Sequence, residues 1–317
     1  MKLDDNQHRL FAAPPGAAEE LAAALEAATG APQRPAFPEP MGPTAVREAL
    51  DRVLLAARPD RGLAVLVRSG VLAAVLPEAA ALVGFGEGVR HKDVWAHTGQ
   101  VVRQTPARLV VRWAALLHDI GKVPTRRFEP DGTVSFIGHP EIGARMFDRI
   151  AKRLPFTESE QGRLRFLIAG HLRAAAYEEA WTDSAVRRFA RDSGDALGDL
   201  LDLARADITS KYADKVRRGL RQIALLAERI AGLRAEDAKP APLPKGLGTA
   251  LIAGLGVPPG PGLGRLMDHL RGEVESGRLG AQREYDHYIG YFERNRELLE
   301  RLLGGEEAKE KCDATKA

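Results

Sequence analysis

The sequence predicts a mainly α protein, a multi-helical bundle interrupted by one short β-hairpin. Three observations carry this expectation. Aromatic residues are only 6% of the chain while Ala, Leu, Arg and Glu are plentiful, a balance that favours helices over a strand-rich sandwich. From Thr44 onward, segments with apolar residues at helical spacing follow one another with short breaks. Only one stretch, Arg126 to Phe136, reads as a convincing hairpin, and its Asp131-Gly132 pair supplies turn residues that tolerate positive φ.

A short Ala/Glu/Leu stretch at 17–28 predicts a leading helix. The Pro-rich run from Pro32 to Pro43 reads as a linker that leaves this helix loosely attached. Thr44 suits the N-cap of an amphipathic helix over 45–57. Residues 61–76 carry Leu63, Leu66, Val67, Val71, Leu72 and Val75 at helical spacing, and Pro77 ends that helix. Helices are then expected over 92–104, 107–120 and 140–154. Pro140 fits a first helical position, and Glu141 favours the helix dipole. Further helices are expected at 158–171, 183–192, 195–208 and 211–235. A second linker, Lys239 to Gly246, leads to a Gly/Pro-rich loop at 254–264 and helices near 263–276 and 281–303. The charged last dozen residues read as disordered.

At 317 residues, 44% hydrophobic and 28% charged, the chain can bury a sizeable core and is neither fibrous nor disordered in composition. Its single cysteine, Cys312, excludes an intrachain disulfide and a thiolate metal site. The opening Met1-Lys2-Leu3-Asp4-Asp5 lacks an apolar signal core, and no run is apolar for about eighteen residues, so a cytoplasmic protein without membrane contact is expected. Charge is uneven: residues 1–40 carry a net −3, residues 41–235 a net +8, and residues 236–317 a net −2. A basic middle section suits phosphate-bearing ligands, nucleotide or RNA.

Five of the eight histidines fall between 91 and 171, where the helical pattern is most regular. The apolar helix from Leu109 ends in His118-Asp119, after which Gly121 is expected to release the backbone. A carboxylate has two oxygens and can bridge two ions, whereas an imidazole gives one nitrogen to one ion. Imidazole with carboxylate and no thiolate suits Mn, Fe, Co, Ni, Zn or Mg. Further donors stand on other predicted helices: His97, His139, His171 and Asp207. His8, His269 and His287 read as solvent-facing, and His91 precedes its helix.

The series His97, His118-Asp119, Asp207 resembles the HD phosphohydrolase superfamily, whose metal ligands come as His, His-Asp and Asp on successive helices. With His139 and His171 added, it resembles the members that hold two divalent ions. The flanking phrases are similar to the C-terminal region of bacterial tRNA nucleotidyltransferases, the CCA-adding enzymes. They include Ser69-Gly70-Val71-Leu72, His91-Lys92-Asp93-Val94-Trp95-Ala96-His97-Thr98, Thr125-Arg126-Arg127-Phe128, Trp181-Thr182-Asp183-Ser184-Ala185-Val186-Arg187-Arg188 and Leu255-Gly256-Val257-Pro258-Pro259-Gly260. The likeness covers roughly residues 44–290. It implies a flexible leader and Pro-rich linker at 1–43, a helical neck-like segment at 44–88 and an HD domain at 89–236. A linker at 237–246, a C-terminal helical region at 247–303 and a tail at 304–317 complete the division. Pro140 departs from the Glu usual after the histidine in that family. The family's Gly-Gly turn and Asp-x-Asp metal motif do not appear in the first forty residues, which are short and Pro-rich, so the chain is expected to lack the nucleotidyltransferase head and not to add CCA.

The resemblance implies a metal-dependent phosphohydrolase or phosphodiesterase acting on nucleotides or RNA ends, with 2′,3′-cyclic phosphate or 2′-phosphate substrates favoured. Asp119 and Lys122 are the candidate catalytic residues, and Arg126, Arg127 and Arg173 the candidate phosphate contacts. Two alternatives are a non-catalytic RNA-binding module, which would be expected to lose metal ligands, and an HD nucleotidase acting on free nucleotides. Trp95, Trp113 and Trp181 are too scattered in sequence to form a stacking platform for RNA.

Overall fold

Ala17–Thr29 forms the first helix, α1, and it is not loosely attached. Leu21, Ala24 and Ala28 are fully buried, and α1 packs against α2 (Pro43–Leu55) and α3 (Pro59–Arg68). The correction has a simple cause. Ala17, Leu21, Ala24, Leu25 and Ala28 make one continuous apolar stripe, in which the alanines let another helix approach and the leucines fill the contact. The backbone adds two ties, from Arg58 N–H to Ala28 O at 2.9 Å and from Ala13 N–H to Met41 O at 3.2 Å.

The computed structural model describes residues 13–31, 40–86 and 93–304. His8, His91, Cys312, most of the Pro-rich run and the tail beyond Gly304 lie outside the described residues. The chain divides into two compact units, Met1–Arg234 and Ala235–Ala317. In the first, α4 (Val71–Val75), α5 (Pro77–Ala80), α6 (Val94–Gln104), α7 (Leu109–Leu117) and α8 (Lys122–Thr125) follow α3. The hairpin of β1 (Arg127–Phe128) and β2 (Val134–Ser135) comes next, with Arg127 opposite Ser135 and Phe128 opposite Val134. Then come α9 (His139–Arg153), α10 (Glu158–Gly170), α11 (Asp183–Ser193), α12 (Leu197–Asp207) and α13 (Ala213–Asp237).

Two expected boundaries change. The helix expected over 61–76 breaks into α3 and α4, because Gly70 takes a left-handed conformation at φ 79°. Thr44 lies inside α2, whose N-cap is Gly42 with Pro43 in the first turn. Gly132 does hold a positive φ, 78°, at the hairpin turn as expected.

The core of the first unit is centred on α7, where Val111, Trp113, Ala114, Ala115, Leu116 and Leu117 are all fully buried. Two buried arginines tie neighbouring elements to this core. Buried Arg112 donates to the carbonyls of Leu54 and Ala56, closing the frayed end of α2. Buried Arg47 bonds Asp51 at 2.7 Å, Glu160 at 2.8 Å and the Pro155 carbonyl at 2.9 Å, with its guanidinium 3.8 Å above the Phe156 ring. Glu160 also closes the capping box of α10 with Thr157. These bonds fix α2 to the start of α10, so the far end of α10 has a defined position.

The second unit has its own core of Leu243, Leu247, Leu251, Val257, Leu266, Leu270, Tyr288 and Phe292. It contains α14 (Leu247–Leu255), α15 (Pro261–Glu275), α16 (Tyr285–Arg294) and α17 (Arg296–Gly304). The single helix expected over 281–303 is therefore two, divided at Asn295, and α14 was not foreseen as a helix. No described helix is long and apolar enough to cross a membrane.

Candidate metal centre

Three helices of the first unit end at one place. His118 directly follows the last residue of α7, His171 directly follows α10, and Asp207 is the last residue of α12. Helix C-termini carry partial negative charge, so this convergence favours a cation before any side chain is counted. His139 enters as the first residue of α9 and His97 from the buried face of α6, which packs against both α7 and α12. All six predicted ligands thus come together, drawn from five helices or their ends.

The geometry separates into two groups that share Asp119. His97, His118 and Asp119 offer ligand atoms mutually within 4.8 Å, and so do Asp119, His139 and His171. Asp119 Oδ2 lies 3.2 Å from His118 Nε2 and 3.7 Å from His97 Nε2. Its other oxygen, Oδ1, lies 3.5 Å from His139 Nε2 and 3.9 Å from His171 Nε2. Asp207 Oδ1 joins the first group, 2.9 Å from His97 Nε2 and 3.6 Å from His118 Nε2.

The hydrogen bonds around the imidazoles assign their tautomers. Nδ1 of His118 faces Ala115 O at 2.8 Å, Nδ1 of His139 faces Phe136 O at 2.9 Å, and Nδ1 of His171 faces Ile168 O at 2.8 Å. A carbonyl only accepts, so each Nδ1 donates, and each ring, when neutral, turns its Nε2 lone pair inward, as metal-bound histidines do. The inward nitrogens pair at 3.2 Å for His139 and His171 and at 3.4 Å for His118 and His97. Two nitrogen ligands each about 2.1 Å from one ion have a similar separation. Buried Asp119 Oδ2 makes no hydrogen bond of good geometry, although cationic groups surround it. The donor set fits divalent cations and contains no sulfur.

Electrostatics in the metal-free protein express the same arrangement. Burial opposes a charge on His118, but the adjacent Asp119 charge and hydrogen bonds to Asp119 and Asp207 outweigh it and raise its pKa to about 10. Burial opposes ionisation of Asp119 too, yet His118, Lys122 and His171 hold its carboxyl far below the usual range. His171 moves the other way, lowered to about 4 by burial and by repulsion from His118. Burial likewise lowers His139. Asp207 stays well below its ordinary value: its hydrogen bonds to His118 and His97 overcome the cost of burial.

A pH profile follows from these opposed shifts. Below the ordinary imidazole value of 6.5 the unfolded chain takes up protons that buried His171 resists down to about 4, so stability falls as pH falls through that window. Above 6.5 the unfolded chain has lost the proton that His118 keeps up to about 10, so stability falls as pH rises through that window. Chelator-treated protein melted between pH 4 and 10 is therefore expected to be most stable near pH 6.5. A melting temperature that changes in one direction across the range would contradict this.

The remaining predicted site residues are placed as follows. Lys122 sits beside the centre with Nζ 3.0 Å from Asp119 Oδ2, at the start of α8. Arg126 and Arg127 lie at the hairpin, exposed, with the Arg126 guanidinium 4.5 Å over Phe85 and 5.3 Å over Phe128. Arg173, two residues beyond His171, pairs loosely with Asp192 at 3.7 Å. None of the three arginines contacts a ligand among the described residues.

Sequence reasoning missed Thr209, whose Oγ1 is 2.6 Å from His97 Nδ1 and orients that ring. It also misread Gly121. The backbone there is ordinary right-handed helix, φ −69°, so no release is needed. A Cβ at this position would lie 2.0 Å from His139 O and 2.7 Å from Gly143 N. Glycine is required because the backbone of α9 crosses at this point. The nearness of Gly121 to the His-Asp pair was the available signal.

Comparison with known proteins agrees with this geometry. Residues 91–219 match the HD domain family, a span that holds every predicted ligand. The chain is 35% identical over 262 residues to the CC-adding tRNA nucleotidyltransferase of Thermus thermophilus, covering 80% of this chain and 57% of that protein. It is 32% identical over 248 residues to the A-adding tRNA nucleotidyltransferase of Deinococcus radiodurans, covering 75% and 56%. A multifunctional CCA protein of Ectopseudomonas mendocina matches at 37% over 110 residues, 33% of this chain and 26% of that protein. The chain spans a little over half the length of the first two relatives. An HD domain is thus present at residues 91–219, within a chain whose curated homologues are tRNA nucleotidyltransferases matched over part of their length.

Proposed function

We propose that this chain is a metal-dependent phosphohydrolase acting on nucleotides or RNA ends, with 2′,3′-cyclic phosphate or 2′-phosphate groups as its favoured substrates. The observation that carries the reading is the division of Asp119, one oxygen toward each ligand group. His97, His118, Asp119 and Asp207 would hold one divalent ion, and Asp119, His139 and His171 a second. When bound, such ions lower the pKa of water and polarise a phosphoryl group.

The chain's own residues supply the rest. The carbonyls behind His118, His139 and His171 keep the Nε2 atoms aimed inward, so ligand geometry is set before loading. Lys122 balances the Asp119 charge and stands where its ammonium can meet a phosphate oxygen. Arg126 and Arg127 present guanidinium groups from the hairpin to an approaching phosphate. Retention of all six ligands favours an enzyme over a binding module.

The test is a substrate panel of 2′,3′-cyclic AMP, bis-p-nitrophenyl phosphate and the dNTPs, with Mn, Ni or Mg. Hydrolysis of the cyclic and diester substrates is expected. Turnover of dNTPs alone would replace this reading with a nucleotidase. No hydrolysis with any substrate and ion would overturn it.

A further inference from the structure

We propose that the cavity between the turn after α10 and one face of α11 is a nucleotide subsite, receiving the base and phosphate of a nucleotide unit. Its volume is about 470 Å³, within the range of small-ligand pockets. Trp181, Phe189, Arg173, Arg188, Thr182 and Asp192 line it. The aromatic part is a preformed corner, with Trp181 and Phe189 edge to face at 6.0 Å and Tyr177 supporting Trp181 from behind at 5.6 Å. Phe189 is buried and Trp181 half-buried, so the indole can offer apolar surface to a base without rearrangement.

The charged part completes the recognition. Arg173 lies 5.5 Å over the Phe189 ring, and its pair with Asp192 is long and exposed on both sides, which makes it a weak competitor for an incoming phosphate. Arg188, one helical turn before Asp192 on α11, forms no ion pair among the described residues. Two guanidinium groups beside an aromatic corner match a nucleoside monophosphate better than an inorganic anion, which has no use for the rings, or an apolar ligand, which would leave the arginines unused.

The position links the cavity to the metal centre. Two residues span at most about 7 Å of chain, so Arg173 is within one side-chain length of the backbone that carries His171. The opposite wall, α11, packs against α12, which ends in Asp207. Both walls are therefore attached to ligand-bearing elements. That the bound nucleotide belongs to the substrate rests on the phosphohydrolase reading; that the cavity binds nucleotides does not.

The experiment measures binding to chelator-treated full-length protein, which keeps it independent of any hydrolysis. AMP, the dinucleotide ApA and inorganic phosphate are titrated by calorimetry against wild type, Arg188→Ala and Trp181→Leu, with folding of each variant checked by circular dichroism. AMP and ApA are expected to bind, and each variant to lose about tenfold in affinity for them, while Arg188→Lys recovers part of the loss. Tighter binding of ApA would identify a strand as the source of the nucleotide, and equal binding a free nucleotide. Three results would overturn the subsite: no AMP or ApA binding, phosphate binding as well as AMP, or affinities unaltered in both variants. Asp119→Ala adds a last control. AMP binding should survive in it, and its loss would return the ligand to the metal centre.

Discussion

Asp119→Asn is expected to remove metal from both ligand groups at once and to abolish hydrolysis. The substitution preserves volume and removes the charge that faces four imidazoles through two different oxygens. Loss of an outer hydrogen-bond partner of a ligand typically weakens metal binding by about 10- to 100-fold, and loss of a carboxylate shared by two groups should exceed that. His139→Ala should behave differently, because His139 belongs to only one group. It is expected to halve the bound metal, measured by elemental analysis of the purified variant, while Asp119→Asn leaves almost none. Stoichiometric metal in Asp119→Asn would mean that the carboxylate does not bridge. Metal uptake should also release protons near neutral pH, since His118 holds one in the metal-free protein up to about 10.

Gly121→Ala should be nearly as damaging, although the residue donates nothing to an ion. The added methyl would press on two backbone atoms, His139 O and Gly143 N, and neither can rotate away. Overpacking of this kind costs about 1–3 kcal/mol, and a backbone clash belongs at the upper end. Relief requires α9 to move, and His139 moves with it, away from the His171 nitrogen now 3.2 Å distant. The variant is expected to melt several degrees lower and to lose the ion nearest His139 first. Gly162→Ala is the matched control. It lies within α10 with open space where a Cβ would go, so it should be neutral or slightly stabilising. Equal behaviour of the two variants in thermal melts and metal analysis would remove the steric argument.

The residues themselves made a good part of this legible. Helical spacing and scarce aromatics led to a helical bundle, and Asp131-Gly132 marked its hairpin. The six donors could be named because imidazole and carboxylate are the side chains such ions require, and they recur on successive predicted helices or at their ends. Errors arose where local pattern carries no information about neighbours. The leading helix looked detached because a Pro-rich run follows it, whereas its burial depends on α2 and α3, which lie beyond that run in the sequence and pack directly against it. The segment 247–255 lacks alternation of polar and apolar faces, so its helix does not announce itself.

The sequence alone thus named the candidate donors and the chemistry they can share, because donor type is a property of the chain and their order resembles a known ligand series. Only the tertiary structure decided the rest. It turned the Nε2 atoms of His118, His139 and His171 inward through a carbonyl three residues back and oriented His97 through Thr209, divided the oxygens of Asp119 between two ligand groups, and made Gly121 a matter of clearance instead of flexibility. It also set Arg173 and Arg188 beside Trp181 in one cavity. These are facts of orientation and approach, fixed by which helices pack together. A linear pattern that repeats every three or four residues does not contain them.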